Sequence, residues 1–155
     1  MICLPLVTLA ALLLGALNLV AQSSDPLVAT WTVNMAKSKY DQGKAPKSLT
    51  MTVTADGRGY TITQDQVAAD GQKSHAVIFL NPDGKEYPVE SAVPTTVAST
   101  RINDRTYERF TRVNGVVTSS SRTVISPDGR TRTTTTMGTD AQGRPIHELI
   151  VYDRQ

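Results

Sequence analysis

The sequence predicts an all-β protein, an antiparallel up-and-down β-barrel of about eight to ten strands. Three observations carry that prediction. Turn pairs such as Asp56-Gly57, Asp70-Gly71, Asn114-Gly115 and Asp128-Gly129 punctuate the chain at short intervals, the rhythm of consecutive hairpins. Between several of them apolar residues alternate with threonine at period two, and no segment after Ser24 carries a helical period of any length. A long meander leaves two unpaired edges, and closing it into a barrel removes them.

The chain has 155 residues, 39% of them hydrophobic and 19% charged, with a formal net charge of +2. Residues 1–23 read as a secretory signal peptide. Met1 to Val20 is apolar almost throughout and turns polar at Gln22-Ser23-Ser24-Asp25. Cleavage after Ala21 and cleavage after Ser23 both fit. The run is also close to the roughly 18 to 20 residues that span a bilayer, so a retained anchor is the rival reading. Gly15 and Asn18 interrupt it and no basic stop follows, which favours cleavage and an exported, periplasmic or extracellular protein free of the membrane.

Residues 24–155 make roughly 130 residues, the size of one domain with its own core. Cys3 is the only cysteine, so the exported part has no disulfide and no thiolate metal site. Arg and Lys are scattered, with no basic block and no aromatics interleaved with the arginines, which argues against a nucleic-acid partner.

Taken in order, Leu27, Ala29, Trp31 and Val33 share one side of a first strand, and Trp31 is the only tryptophan. Residues 36–39 suit a short helical turn, and residues 41–47 a loop. Leu49, Met51 and Val53 alternate with Thr50, Thr52 and Thr54 in the cleanest half-buried strand, and Tyr60 and Ile62 return after Asp56-Gly57. His75 to Leu80 is a continuous apolar strand ended by the turn Asn81-Pro82-Asp83-Gly84. A short strand at 86–89 follows, with Pro88 suiting an edge. Strands at 96–102, 106–112, 116–125, 130–137 and 146–152 complete the meander. In these later strands Ser, Thr and Arg occupy both faces, which suits a barrel with a partly polar interior better than a solid sandwich core.

The stretch Asp25 to Tyr40, DPLVATWTVNMAKSKY, resembles the opening of small secreted bacterial proteins with a lipocalin-like barrel. Their text there is Gly-Thr-Trp followed by Leu-Asn and Lys-Ser-Lys. Ser126 to Arg130, Gly138 to Gly143 and Val151 to Gln155 are similar to that group's closing hairpins. More distantly, a Trp on the first strand is the hallmark of lipocalins and fatty-acid-binding proteins, with Ala29 here in place of their Gly. The resemblance implies a lipocalin-like barrel without an established activity. It also implies a basic residue from the end of the barrel packed on Trp31, a part that falls to Arg154.

No catalytic constellation is present. His75 and His147 are the only histidines and have no metal-ligand spacing. Asp56, Asp70, Asp83, Asp104, Asp128 and Asp140 sit where β-turns need them. No cofactor fingerprint occurs, so no cofactor or metal is expected.

The residues that suggest binding are the strand arginines Arg101, Arg109 and Arg122, with Tyr107 and Tyr152 near them in the pattern. An inward guanidinium needs an anionic partner, which a ligand carboxylate supplies. An outward one is simply solvated, and alternation leaves both readings of Arg122 open. The leading expectation is a non-catalytic exported carrier for a small amphipathic or apolar ligand. Its apolar part would lie against Leu49, Met51, Val53, Ile62 and Phe79. The alternatives are a structural or interaction protein of the cell envelope with a filled barrel, and an enzyme of unknown reaction in the same barrel.

Overall fold

The structure, a computed structural model, describes residues 25–41, 45–89, 91–140 and 142–155. The expected signal peptide lies outside them. Ten strands follow one another: β1 Thr30–Val33, β2 Ser48–Ala55, β3 Tyr60–Val67, β4 Lys73–Leu80 and β5 Asp83–Pro88. Then come β6 Thr95–Asn103, β7 Thr106–Val113, β8 Val116–Ile125, β9 Thr131–Thr139 and β10 Pro145–Arg154. They form a single sheet in the order β4-β3-β2-β1-β10-β9-β8-β7-β6-β5, with each neighbouring pair antiparallel. The last strand meets the first, Trp31 opposite Arg154 and Val33 opposite Tyr152, and the sheet curls into a barrel.

The turns explain the meander. Asn114 and Gly115 both adopt positive φ, 50° and 80°, the geometry whose twist matches a two-residue hairpin. Aspartates at the other turns fold back on the main chain: Asp56 Oδ1 accepts the N–H of Arg58 and Gly59, and Asp128 and Asp140 Oδ1 accept those of Arg130 and Gln142. Residues 35–37 make a turn rather than a helical segment.

One expected hairpin is missing. β4 and β5 are consecutive in the chain yet do not pair, and they form the two edges of the sheet. Pro82 has no N–H to donate between them, and its carbonyl accepts from Arg101 N in continuation of the β5–β6 pairing. Pro88 stands on that same edge, where a missing donor is tolerated.

The core sits at one end of the barrel. Leu27, Trp31, Val53 and Ile125 are fully buried, and Trp31 Nε1 donates to the Leu27 carbonyl at 3.0 Å, so that residues 25–29 fold across the barrel end. Leu49, Met51, Tyr60 and Ile62 extend this core along β2 and β3.

Phe79 corrects an expectation. Ile62 stands opposite Ile78, so β4 turns Ile78 and Leu80 inward and leaves Phe79 outside, 76% exposed. An uninterrupted apolar run contains no alternation, and only the register with β3 decides which residues of β4 enter.

Candidate ligand-binding site

Inside the barrel lies a cavity of about 260 Å³ between two unlike walls. Leu27, Met51, Ile62, Ile78 and Leu80 form the apolar wall, while Ile150 on β10 stands beside Thr134. Facing that wall, β8 and β9 present a ladder of hydroxyls: Ser121 Oγ and Thr136 Oγ1 lie 3.0 Å apart, Thr123 Oγ1 and Thr134 Oγ1 2.9 Å. These pairs satisfy each other across the strands, which lets a threonine-rich segment line an interior without orphaned polar groups.

Two guanidiniums enter from the polar wall. Arg109, on β7 opposite Ser121 and Ser99, keeps accessible surface because it faces open space. Protein nonetheless surrounds it closely enough that burial pushes its guanidinium down. Arg132, on β9 opposite Tyr152 and Ile125, lies over the Tyr152 ring at 5.4 Å. Its Nη1 is 3.8 Å from Met51 Sδ, and its buried Nε has no hydrogen-bond partner. Burial pushes Arg132 down as well, and Arg109 adds to that through like-charge repulsion. Among the described residues neither arginine has a carboxylate within salt-bridge distance.

Glu148 shares the cavity, but burial and then Asp41 push its carboxyl up, which disfavours the anion. Burial also raises the Tyr152 hydroxyl against the opposing pull of Arg132. Nearby, the Tyr40 hydroxyl is buried without a partner, and burial, then Tyr152 and Glu148, push it up to about 12.

At the capped end a separate polar cluster gathers on Asp25. The Tyr60 hydroxyl donates to its Oδ2, Tyr107 Oη to its Oδ1 at 3.2 Å, Arg101 Nη1 to its Oδ2 at 3.0 Å, and the Leu27 N–H to its Oδ1 at 2.9 Å. Burial alone would raise this carboxyl. The Tyr60 and Leu27 hydrogen bonds, the Arg101 charge and the Tyr107 hydroxyl outweigh it and hold the group below its ordinary value. Tyr107 and Tyr60 meet edge to face at 6.1 Å, with Arg101 over the Tyr107 ring at 5.6 Å.

Of the expected residues, Tyr107, Arg109 and Tyr152 line the cavity. Arg101 is committed to Asp25 at the barrel end and does not reach it. Arg122 points outward and pairs with Glu108 at 2.6 Å, so it is not part of the site. Arg154 lies over Trp31, 5.7 Å from its ring centre. The sequence around Arg132 does not single it out, because Thr131 to Thr136 has no apolar alternation. Counting outward from the Asp128-Gly129 turn would have found it: Arg132 stands opposite Ile125, an apolar residue that must face in.

No family model matches the chain, and no curated protein does. Among solved structures it is similar to zebrafish ileal bile acid-binding protein complexed with cholic acid, with a TM-score of 0.52 and 12% identity over 84% of this chain and 99% of that one. At that identity the likeness is one of fold alone: this chain is a ten-stranded antiparallel sheet curled into a lipocalin-like barrel.

Proposed function

We propose that the protein is a non-catalytic, exported carrier of a small amphipathic anion. The observation that carries this reading is the pair Arg109 and Arg132, two guanidiniums lining the cavity with no carboxylate within salt-bridge distance among the described residues. Burying an unpaired charge is costly, so such a pair favours a bound anion. A ligand carboxylate, sulfate or sulfonate would accept from Arg132 Nε and from Arg109, and the hydroxyl ladder would hydrate or contact the rest of the head group. Its apolar body would lie on Met51, Ile62, Ile78 and Ile150. Cholic acid, the ligand in the similar zebrafish structure, is itself an amphipathic carboxylic acid, and its chemistry agrees with this reading.

The test is charge selectivity. Dodecanoate and dodecyltrimethylammonium share a tail and differ in sign. Calorimetric titration should show saturable binding of the first and none of the second, with Arg109→Gln and Arg132→Gln each weakening dodecanoate at least about tenfold. Equal binding of both probes, or of neither, would overturn the assignment. Export is tested separately by N-terminal sequencing of the protein purified from its own cells: a mature start at Gln22 or Ser24 supports it, and an intact Met1 counts against it.

A further inference from the structure

The barrel wall is open between β4 and β5, and a second cavity of about 720 Å³ occupies that opening. Val77 and Phe79 line it from the β4 side, and Tyr87, Pro88 and Val89 from the other. It shares Ile78, Leu80, Ser99 and Arg109 with the inner cavity, so the two spaces adjoin at Arg109. We propose that this fissure is the compartment for the apolar tail of the ligand, which makes the β4–β5 edge the part of the protein that selects tail length. The inference rests on the carrier reading above, with the anionic group at Arg109 and Arg132.

Three features of the fissure support that occupant. The first is size. The inner cavity, about 260 Å³, falls below the roughly 300–1,000 Å³ of ordinary small-molecule sites, whereas the fissure lies inside that range. A ligand anchored on Arg109 has to continue outward to bury an apolar body of any length.

The second is surface chemistry. Phe79 is 76% exposed, Val77 51% and Val89 40%, a concentration of large apolar side chains along one opening. An alkyl or ring system lying there covers them and leaves its charged end pointing inward.

The third concerns the rival occupant, an added strand. Every pairing from β4 round to β5 is antiparallel, so the two edges run in opposite directions. A single inserted strand would be antiparallel to one edge and parallel to the other, and Pro88 offers it no donor. A flexible apolar tail meets no such conflict.

The experiment is a chain-length series, octanoate, dodecanoate and hexadecanoate, titrated calorimetrically into the wild type and into Phe79→Asn and Val89→Asn. Both positions are exposed, and circular dichroism of each variant checks that it folds. The wild type should bind hexadecanoate at least about tenfold tighter than octanoate, as burial of added methylenes requires. The fissure variants should lose at least about tenfold for hexadecanoate while octanoate changes by less than about twofold. If the variants bind hexadecanoate as the wild type does, or if affinity is independent of length, the tail compartment is wrong and the carrier reading stands. Failure of the wild type to bind any of the three overturns both.

Discussion

The Arg154 guanidinium lies 5.7 Å from the centre of the Trp31 ring, on the two strands whose pairing joins the end of the chain to its beginning. Its Nη2 also donates to the Val28 carbonyl at 3.0 Å and its Nη1 to the Gly129 carbonyl at 3.3 Å. One side chain thereby ties β10, the β8–β9 turn and the segment across the barrel end to the buried indole. Arg154→Met retains an apolar stem over the ring and removes the charge and both hydrogen bonds. The expected loss is about 1–2 kcal/mol, from an exposed cation–π contact and partly exposed hydrogen bonds. Trp31→Ala should cost about 3–5 kcal/mol, because it empties the most buried aromatic site of the core. Urea unfolding followed by Trp31 emission measures the first, and circular dichroism the second. A smaller loss for Trp31→Ala than for Arg154→Met would contradict this ordering.

The cluster on Asp25 predicts acid sensitivity with a definite sign. Its folded pKa lies below the ordinary 3.8, so its contribution to stability is complete above the unfolded value and disappears as pH falls through the folded one. Asp25→Asn should therefore lower the unfolding free energy near neutrality by about 1.5–3 kcal/mol, the scale of hydrogen bonds to a charged group. The difference from wild type should close as pH drops below about 4, where the unfolded carboxyl takes up its proton first. Other turn aspartates, such as Asp56 and Asp140, are also lowered and add to the acid slope of both proteins. The comparison with Asp25→Asn isolates the cluster. Denaturation midpoints at several pH values check it, and parallel curves for the two proteins would rule the contribution out.

Gly138, opposite Ser119 on β8, leaves no room for a side chain. A Cβ there would collide with the Thr118 carbonyl oxygen and with Ser119, at a backbone conformation that any residue tolerates. The obstacle is crowding by main chain, which cannot swing aside as a long side chain does. Gly138→Ala should destabilise by about 1–3 kcal/mol as an overpacking change. Thr139→Ala, at the next and exposed position, should stay within about 0.5 kcal/mol. Urea midpoints of the two variants decide it, and equal values would refute the crowding argument.

Local chemistry made the strands readable. Asn114-Gly115 demanded its turn, and β8 runs from Val116 to Ile125, as its flanking signals require. The alternation Leu49, Met51, Val53 showed which face of β2 is buried. Legibility ended where orientation depends on a neighbour. Phe79 and Ile78 are chemically alike, and only pairing with β3 turns one out and the other in. Arg122 and Arg132 both sit among Ser and Thr, yet one meets Glu108 outside and the other Tyr152 inside. The open edge was hidden for a related reason. Asn81-Pro82-Asp83-Gly84 has the composition of a tight turn, but whether the strands it joins stay paired depends on the curvature of the whole sheet.

Arg132 predicts an opposition between stability and binding. Its Nε is buried without a partner and its charge lies near that of Arg109, so without a ligand it is a burden on the fold. Arg132→Met has similar length and fills the same space beside Met51 and Tyr152 without the charge. It forfeits the ring contact with Tyr152, worth about 0.5–2 kcal/mol. Relief of an uncompensated buried charge is larger, several kcal/mol, so the ligand-free variant should be more stable than wild type by about 1–2 kcal/mol. Dodecanoate at about a hundred times its wild-type dissociation constant should add about 2.7 kcal/mol to the wild type and at most about 1.4 kcal/mol to a variant that binds at least about tenfold more weakly. The ligand therefore moves the balance toward the wild type by at least about 1.3 kcal/mol, which thermal unfolding with and without dodecanoate measures. If Arg132→Met is the less stable protein under both conditions, the guanidinium belongs to the fold and has no call on a ligand.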